Sequence, residues 1–165
     1  MATRSRIGLY DPQTQTVNSI YCHWDGYPEH NGKILVKHYN DINKINELLN
    51  LGDISVLGEE IGVRTDFNNP HITEQCIAYS RDRGERYLDV CMTKNESLQE
   101  YIRHSDSNEE YVYLYVPNGN PHWKCYNTST GNVVSIKANN EGTETDFWSD
   151  GDYDPAGGYG PHSHI

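Results

Sequence analysis

Long hydrophobic runs are missing from this 165-residue chain. None approaches the ~20 apolar residues that a membrane-spanning helix requires. Basic charge is also scarce, with 13 Lys and Arg against 24 Asp and Glu and a formal net charge of −11. Sequence-independent binding to DNA or RNA needs Lys and Arg on phosphates, so this balance argues against a direct nucleic-acid partner. The four cysteines, Cys22, Cys76, Cys91 and Cys125, contain no C-x-x-C pair, and a zinc-ribbon pattern is thereby excluded. The opening MATRSRIGLYDP holds no apolar stretch of the secretory type. Cys22, Cys76 and Cys125 fall in apolar-patterned strands, where a thiol acts as a small hydrophobe. Reduced cysteines in a cytosol-like compartment are expected. No G-x-x-x-x-G-K-[ST], H-E-x-x-H or G-x-S-x-G motif occurs, and nothing marks a nucleophile.

Hydrophobic residues amount to only 35% of the chain, but 13 of the residues are tyrosines. A tyrosine buries a large ring while its hydroxyl finds a polar partner, so a Tyr-rich sheet can supply a modest core. Charge is unevenly spread. Residues 141–165 carry six acids (Glu141, Glu144, Asp146, Asp150, Asp152, Asp154) and no Lys or Arg, which leaves 18 acids, all 13 bases and a net of −5 for residues 1–140. From Asn139 onward the composition turns to Asp, Gly, Asn and Thr. The expected organisation is one domain over 1–138 and an acidic Gly/Asp-rich tail over 139–165. Phe147, Trp148 and Tyr153 are unusual in such a tail and are candidate anchors for a protein partner.

The patterning predicts an α+β fold: a small antiparallel sheet, about three helices and a C-terminal three-strand meander. Arg6–Tyr10 and Thr16–Trp24 read as strands joined through Asp11-Pro12, with Ile20, Cys22 and Trp24 on one face and Tyr21 and His23 on the other. Pro28 suits a helix start, and Ile34, Leu35 and His38 or Tyr39 follow at helical spacing. Asp41 reads as the N-cap of a second helix with Ile42, Ile45, Leu48 and Leu49 on one stripe, closed by Gly52. Glu74–Ser80 and Arg86–Met92 read as a strand pair around the turn Arg81-Asp82-Arg83-Gly84-Glu85. Asn95–His104 reads as a helix. Tyr111–Val116 is the strongest strand, followed by His122–Tyr126 and Val133–Lys137.

Two constellations could carry chemistry. Tyr21, His23, Asp25 and Tyr27 lie at and beyond a strand end, where functional groups are common. A His beside an Asp serves as an oriented base or half a metal site; the alternative is a turn at Asp25-Gly26 and a hydrogen-bonded His23 on a half-exposed face. Arg81 and Arg83 in one turn could clamp a phosphate or carboxylate, with Asp82 and Glu85 holding the guanidinium groups; the alternative is a solvated tip. The ligand-binding candidates are therefore His23, Asp25, Tyr27, Arg81 and Arg83. His30 and His38 stand eight apart near one helix, and His162-Ser163-His164 is not expected to form a dedicated metal site. No cofactor is expected.

Ser19-Ile20-Tyr21-Cys22-His23-Trp24-Asp25-Gly26-Tyr27-Pro28, Gly32-Lys33-Ile34-Leu35 with His38-Tyr39, Leu51-Gly52-Asp53-Ile54-Ser55 with Leu57-Gly58, and Arg81-Asp82-Arg83-Gly84-Glu85 resemble, as a string, a family of small proteins from tailed bacteriophages and prophages. The similarity covers roughly residues 5–90. It brings no catalytic residues with it. It implies a setting, the cytoplasm of an infected bacterium, where small phage proteins bind and redirect or disable host machinery, including defence systems. The leading expectation is a non-enzymatic accessory protein with a host protein as partner. The alternatives are a binder of a small anionic ligand, such as a nucleotide signal, and a small hydrolase or nuclease using His23 and Asp25.

Overall fold

The computed structural model describes residues 2–69, 74–104 and 108–136. The acidic tail, with Phe147, Trp148, Tyr153 and the His162 and His164 pair, lies outside the described residues.

Turn chemistry and hydrophobic alternation produce the opening hairpin as expected. Strand β1 (Arg4–Asp11) pairs antiparallel with β2 (Thr16–Cys22), Ile7 facing Ile20 and Ser5 facing Cys22. Pro28 then opens a single turn of π-helix over Pro28–Gly32 that runs into α1 (Lys33–His38). Helix α2 (Ile42–Leu51) begins where Asp41 accepts the Asn43 amide at 2.9 Å, and Gly52 closes it. Next come β3 (Ile54–Val56), a long loop, β4 (Ile77–Ala78), α3 (Tyr79–Arg83) and α4 (Tyr87–Val90). Strand β5 (Thr93–Ser97), α5 (Leu98–Ile102) and the meander β6 (Glu109–Val116), β7 (His122–Asn127) and β8 (Val133–Val134) complete the order.

The α+β class and the meander stand. The sheet is larger than expected and mixed rather than antiparallel. Among the described residues its order is β4-β3-β2-β1-β6-β7-β8, with β5 also on β2. The β1–β6 and β2–β3 pairs are parallel. Two local readings need correction. The strand pair expected at Glu74–Ser80 and Arg86–Met92 is reduced to Ile77–Ala78, after which the chain coils into α3 and α4. The Asp82 carboxylate takes the Ala78 amide at 2.7 Å and the Thr65 amide at 3.0 Å, and Gly84 stops α3 with φ at +87°. A side chain that binds amides before it in sequence favours a turn of helix over an extended run. The helix expected over Asn95–His104 starts only after Ser97, whose hydroxyl takes the Glu100 amide at 3.2 Å.

Both faces of the sheet are buried. On one, Ile7, Ile20, Cys22, Tyr113, Tyr115, Trp123 and Cys125 pack under Leu35, Tyr39, Ile45, Leu48 and Leu49 of the α1–α2 layer. On the other, Tyr10, Val17, Val112, Leu114, Val116 and Tyr126 pack under Tyr101 and Ile102 of α5. The tyrosines serve both faces by ending on backbone carbonyls. Tyr39 donates to Gly58 O at 2.6 Å, Tyr101 to Tyr113 O at 2.5 Å and Tyr113 to Gly26 O at 2.6 Å. All four cysteines are free. Burial pushes the Cys22 thiol up to about 12, so it behaves as a core side chain.

Beneath α5 sits a buried polar cluster. Arg6 donates to Ser19 Oγ at 3.0 Å and to Thr93 Oγ1 at 3.1 Å, and pairs with Glu109 at 3.4 Å. Glu109 in turn stands 3.7 Å from His104, which meets Glu96 at 2.9 Å. Close beside it, Gly8 lets Tyr101 approach the sheet: a Cβ there would lie 2.6 Å from Val17 Cγ1 and 2.8 Å from Tyr101 Oη. Gly8→Ala is therefore expected to destabilise the protein by about 1–3 kcal/mol through overpacking, read as a fall in the denaturation midpoint. A midpoint within error of the parent would show that Tyr101 does not sit this close in solution.

Candidate functional site: an aromatic, cationic end of the sheet

Strand pairing explains how the site is assembled. Cys22, Ile54 and Ala78 lie side by side across β2, β3 and β4, all pointing into the helix-covered core. Their neighbours Tyr21, His23, Asp53, Ser55 and Tyr79 must then emerge on the opposite face. Among the described residues, α5 covers that face only around Tyr10, Val17, Val112 and Leu114. The end carrying Tyr21 and His23 is left partly open.

Arg4 precedes Ser5, the partner of Cys22, and lies near enough to His23 for its charge to act on the ring. The Arg4 charge acts on the Tyr21 side chain, and the Tyr21 hydroxyl lies 2.8 Å from His23 Nδ1. This bond ties the imidazole ring to the phenol. Burial, reinforced by the positive charge of Arg4, holds the His23 pKa below its ordinary value. The His23 ring meets the Trp24 ring edge-on at 4.7 Å. The Trp24 amide donates to Ser55 O at 3.0 Å, so this stretch is anchored to β3.

Asp53 links the two halves of the site. Its carboxylate accepts the Tyr21 amide at 2.9 Å and its carbonyl accepts the Tyr79 amide at 3.2 Å. Beyond it the Tyr79 ring stands 5.6 Å from Phe67, and the Arg83 guanidinium lies over both rings, 4.7 Å and 5.0 Å from their centres. Arg83 is also paired with Glu85. Such cation–π stacking keeps a guanidinium rigid while leaving part of its fork open to solvent.

The sequence candidates separate. His23 and Arg83 belong to this face. Arg81 does not: it donates to Ile61 O at 3.0 Å, Gly62 O at 3.3 Å and Cys76 O at 2.9 Å and pairs with Asp82 at 3.0 Å. It braces the loop between β3 and β4, because three carbonyls of that loop have no strand partner and a fork of donors satisfies them. Asp25 takes up a left-handed backbone at φ +57° and accepts from Tyr27 Oη at 3.4 Å. No described carboxylate bonds the His23 ring, so the oriented base suggested by His-x-Asp is not assembled. Trp24, expected on the same face as Ile20 and Cys22, is 42% exposed while those two are buried. The strand ends at Cys22 and the turn at Asp25 rotates it outward. Arg4, Asp53, Phe67 and Tyr79 were missed by sequence reasoning. Only β-pairing brings Arg4 to His23, and the expected strand at Glu74–Ser80 concealed the ring of Tyr79 at the head of a helix.

Among the described residues no three His, Cys, Asp or Glu side chains are grouped to hold a metal ion, and no helix is long and apolar enough to cross a membrane. No family model, curated protein or solved structure matches this chain.

Two outcomes test this assignment. In an NMR titration His23 should titrate below the ordinary ~6.5, and Arg4→Gln should raise it. The folded state favours the neutral ring, so this group's contribution to stability falls as pH drops below about 6.5 toward the folded value. An unshifted His23 would show that the ring is neither buried nor close to Arg4 as placed here. Arg81→Ala should cost about 3 kcal/mol of stability, because it leaves the fully buried Asp82 carboxylate short of its cation. Burial raises the Asp82 pKa, but Arg81 and the Ala78 and Thr65 amides outweigh it and hold the carboxyl below its usual range. Its stabilising contribution is present above the unfolded value, about 4, and is lost as acid takes the pH through the lower folded value. A denaturation midpoint for Arg81→Ala equal to the parent's would return Arg81 to the role of a free anion clamp.

Proposed function

We propose that this protein is a non-enzymatic accessory protein that binds a host protein in the cytoplasm of a phage-infected bacterium, and that the aromatic end of its sheet is the recognition surface. The observation that carries the reading is the grouping of Tyr21, His23, Trp24, Phe67 and Tyr79 with Arg4 and Arg83 on one partly open face. Trp, Tyr and Arg are the side chains that dominate binding energy when a partner desolvates them. Trp24 is 42% exposed and Tyr27 37%, and each sits on backbone pinned to a strand or to Thr3 O through Gly26. Anchors held in this way lose little entropy on binding. The phage and host setting rests on the resemblance over residues 5–90. The tail residues Phe147, Trp148 and Tyr153 are kept as further candidate anchors.

The same face supports a second reading, a small anionic ligand with an aromatic ring such as a nucleotide. Rings for stacking are present with Arg83 over two of them, and the Arg4 charge acts on Tyr21. The two readings separate by experiment. Protein immobilised and exposed to lysate of the host should retain a defined protein that Trp24→Ala with Tyr27→Ala, or Arg83→Ala, releases at least tenfold, while Glu100→Gln on the remote α5 does not. A retained set indifferent to the face substitutions would overturn the host-protein reading. Calorimetric binding of a nucleotide, abolished by Arg83→Ala, would establish the second.

A further inference from the structure

Away from the aromatic face, the surface of α1 forms one wall of a groove of about 370 Å3, lined by Glu29, His30, Lys33, Ile34, Lys37, His38 and Glu59. The volume is at the small end of ligand clefts. Lys33 and Lys37 stand one helical turn apart, with His30 a turn earlier and His38 next to Lys37. Two carboxylates, Glu29 and Glu59, share the lining. Glu59 is met by His38 Nε2 at 3.7 Å. Glu29 is near enough to the sheet for its charge to act on Tyr111 and Cys125. Among the described residues, neither Lys33 nor Lys37 has a carboxylate or carbonyl partner. Lys44 behaves differently: its ammonium donates to His38 O at 2.8 Å and Glu59 O at 2.7 Å, over the Tyr39 ring. Lys44 thereby ties the helix wall of the groove to the loop wall.

We propose that this groove binds a small phosphate monoester, with its phosphate between Lys33 and Lys37. Lys33 and Lys37 are two ammonium groups without a carboxylate or carbonyl partner among the described residues, in a protein of net charge −11. An ammonium is a compact point charge with three donors and suits the three oxygens of a phosphate dianion better than the single charge of a carboxylate. The His30 Nδ1 lies 2.8 Å from Asn31 Oδ1, to which it donates.

Calorimetry on the full chain, at low ionic strength, with inorganic phosphate and with ribose 5-phosphate as probes tests this. Saturable binding of either, on the order of 1 mM or tighter, is expected. The tighter of the two identifies whether free phosphate or a phosphorylated small molecule is the natural occupant. Lys33→Gln with Lys37→Gln should weaken it at least tenfold with an unchanged denaturation midpoint, while Lys94→Gln on β5 should leave it intact. Absence of saturation with both probes, or equal weakening by Lys94→Gln, would overturn the site. Both outcomes are independent of whether the aromatic face retains a host protein.

Discussion

The parallel pairing of β1 with β6 is the contact on which the rest of the molecule depends. It joins Arg4–Leu9 to Glu109–Tyr115 across about a hundred residues of chain and forms the middle of the sheet. The strands β2, β3 and β4 hang from one side of it and the meander from the other. Parallel neighbours cannot be joined by a tight turn, so all the intervening helices and loops must travel over the faces of the sheet. That requirement puts α1 and α2 on one face and α5 on the other. The Arg6–Glu109 ion pair sits within this junction, 3.4 Å long and shielded by α5, with Ser19 and Thr93 sharing the guanidinium. A buried charge pair of this kind favours one register over its neighbours, because slipping by one residue would strand both charges.

Covering two faces with a modest apolar content is possible because tyrosine does the work of leucine and adds a hydroxyl. Tyr39, Tyr101 and Tyr113 are fully buried, and each ends on a carbonyl of a segment distant in sequence. They therefore position loops as well as fill space: the Tyr113 hydroxyl holds Gly26, in the turn that throws Trp24 outward. The exposed rings of the candidate site are a by-product of the same plan, appearing where the sheet continues past the end of α5.

Charge is used with similar economy. Arg81 and Arg83 differ by two positions and have opposite fates, because a short helix turns successive side chains through about 100°. One faces the loop carbonyls at Ile61, Gly62 and Cys76; the other lies over Phe67 and Tyr79. On α1 the lysines stay unengaged while Lys44, a few residues on, is consumed by carbonyls. Lys33 and Lys37 face the α1 groove, whereas Arg83 lies over the aromatic rings and is paired with Glu85.

Local pattern was enough for the first hairpin, the start at Pro28, the Asp41 cap, the Gly52 stop and the final meander, since each rests on neighbours a few residues apart. It was also enough to mark His23 and Arg83 as surface groups worth attention. It could not distinguish Arg81 from Arg83, because both fall in the turn expected after Glu74–Ser80, a stretch whose alternation fits a strand or a turn of helix equally. Asp82 settles the matter by capturing an amide from the loop at Thr65. Nor could any local pattern pair Arg4 with His23, place Asp53 under Tyr21, or make β1 parallel to β6. Those contacts form between residues many positions apart, and their free energy comes from burying two sheet faces at once, a quantity that no window of the chain contains.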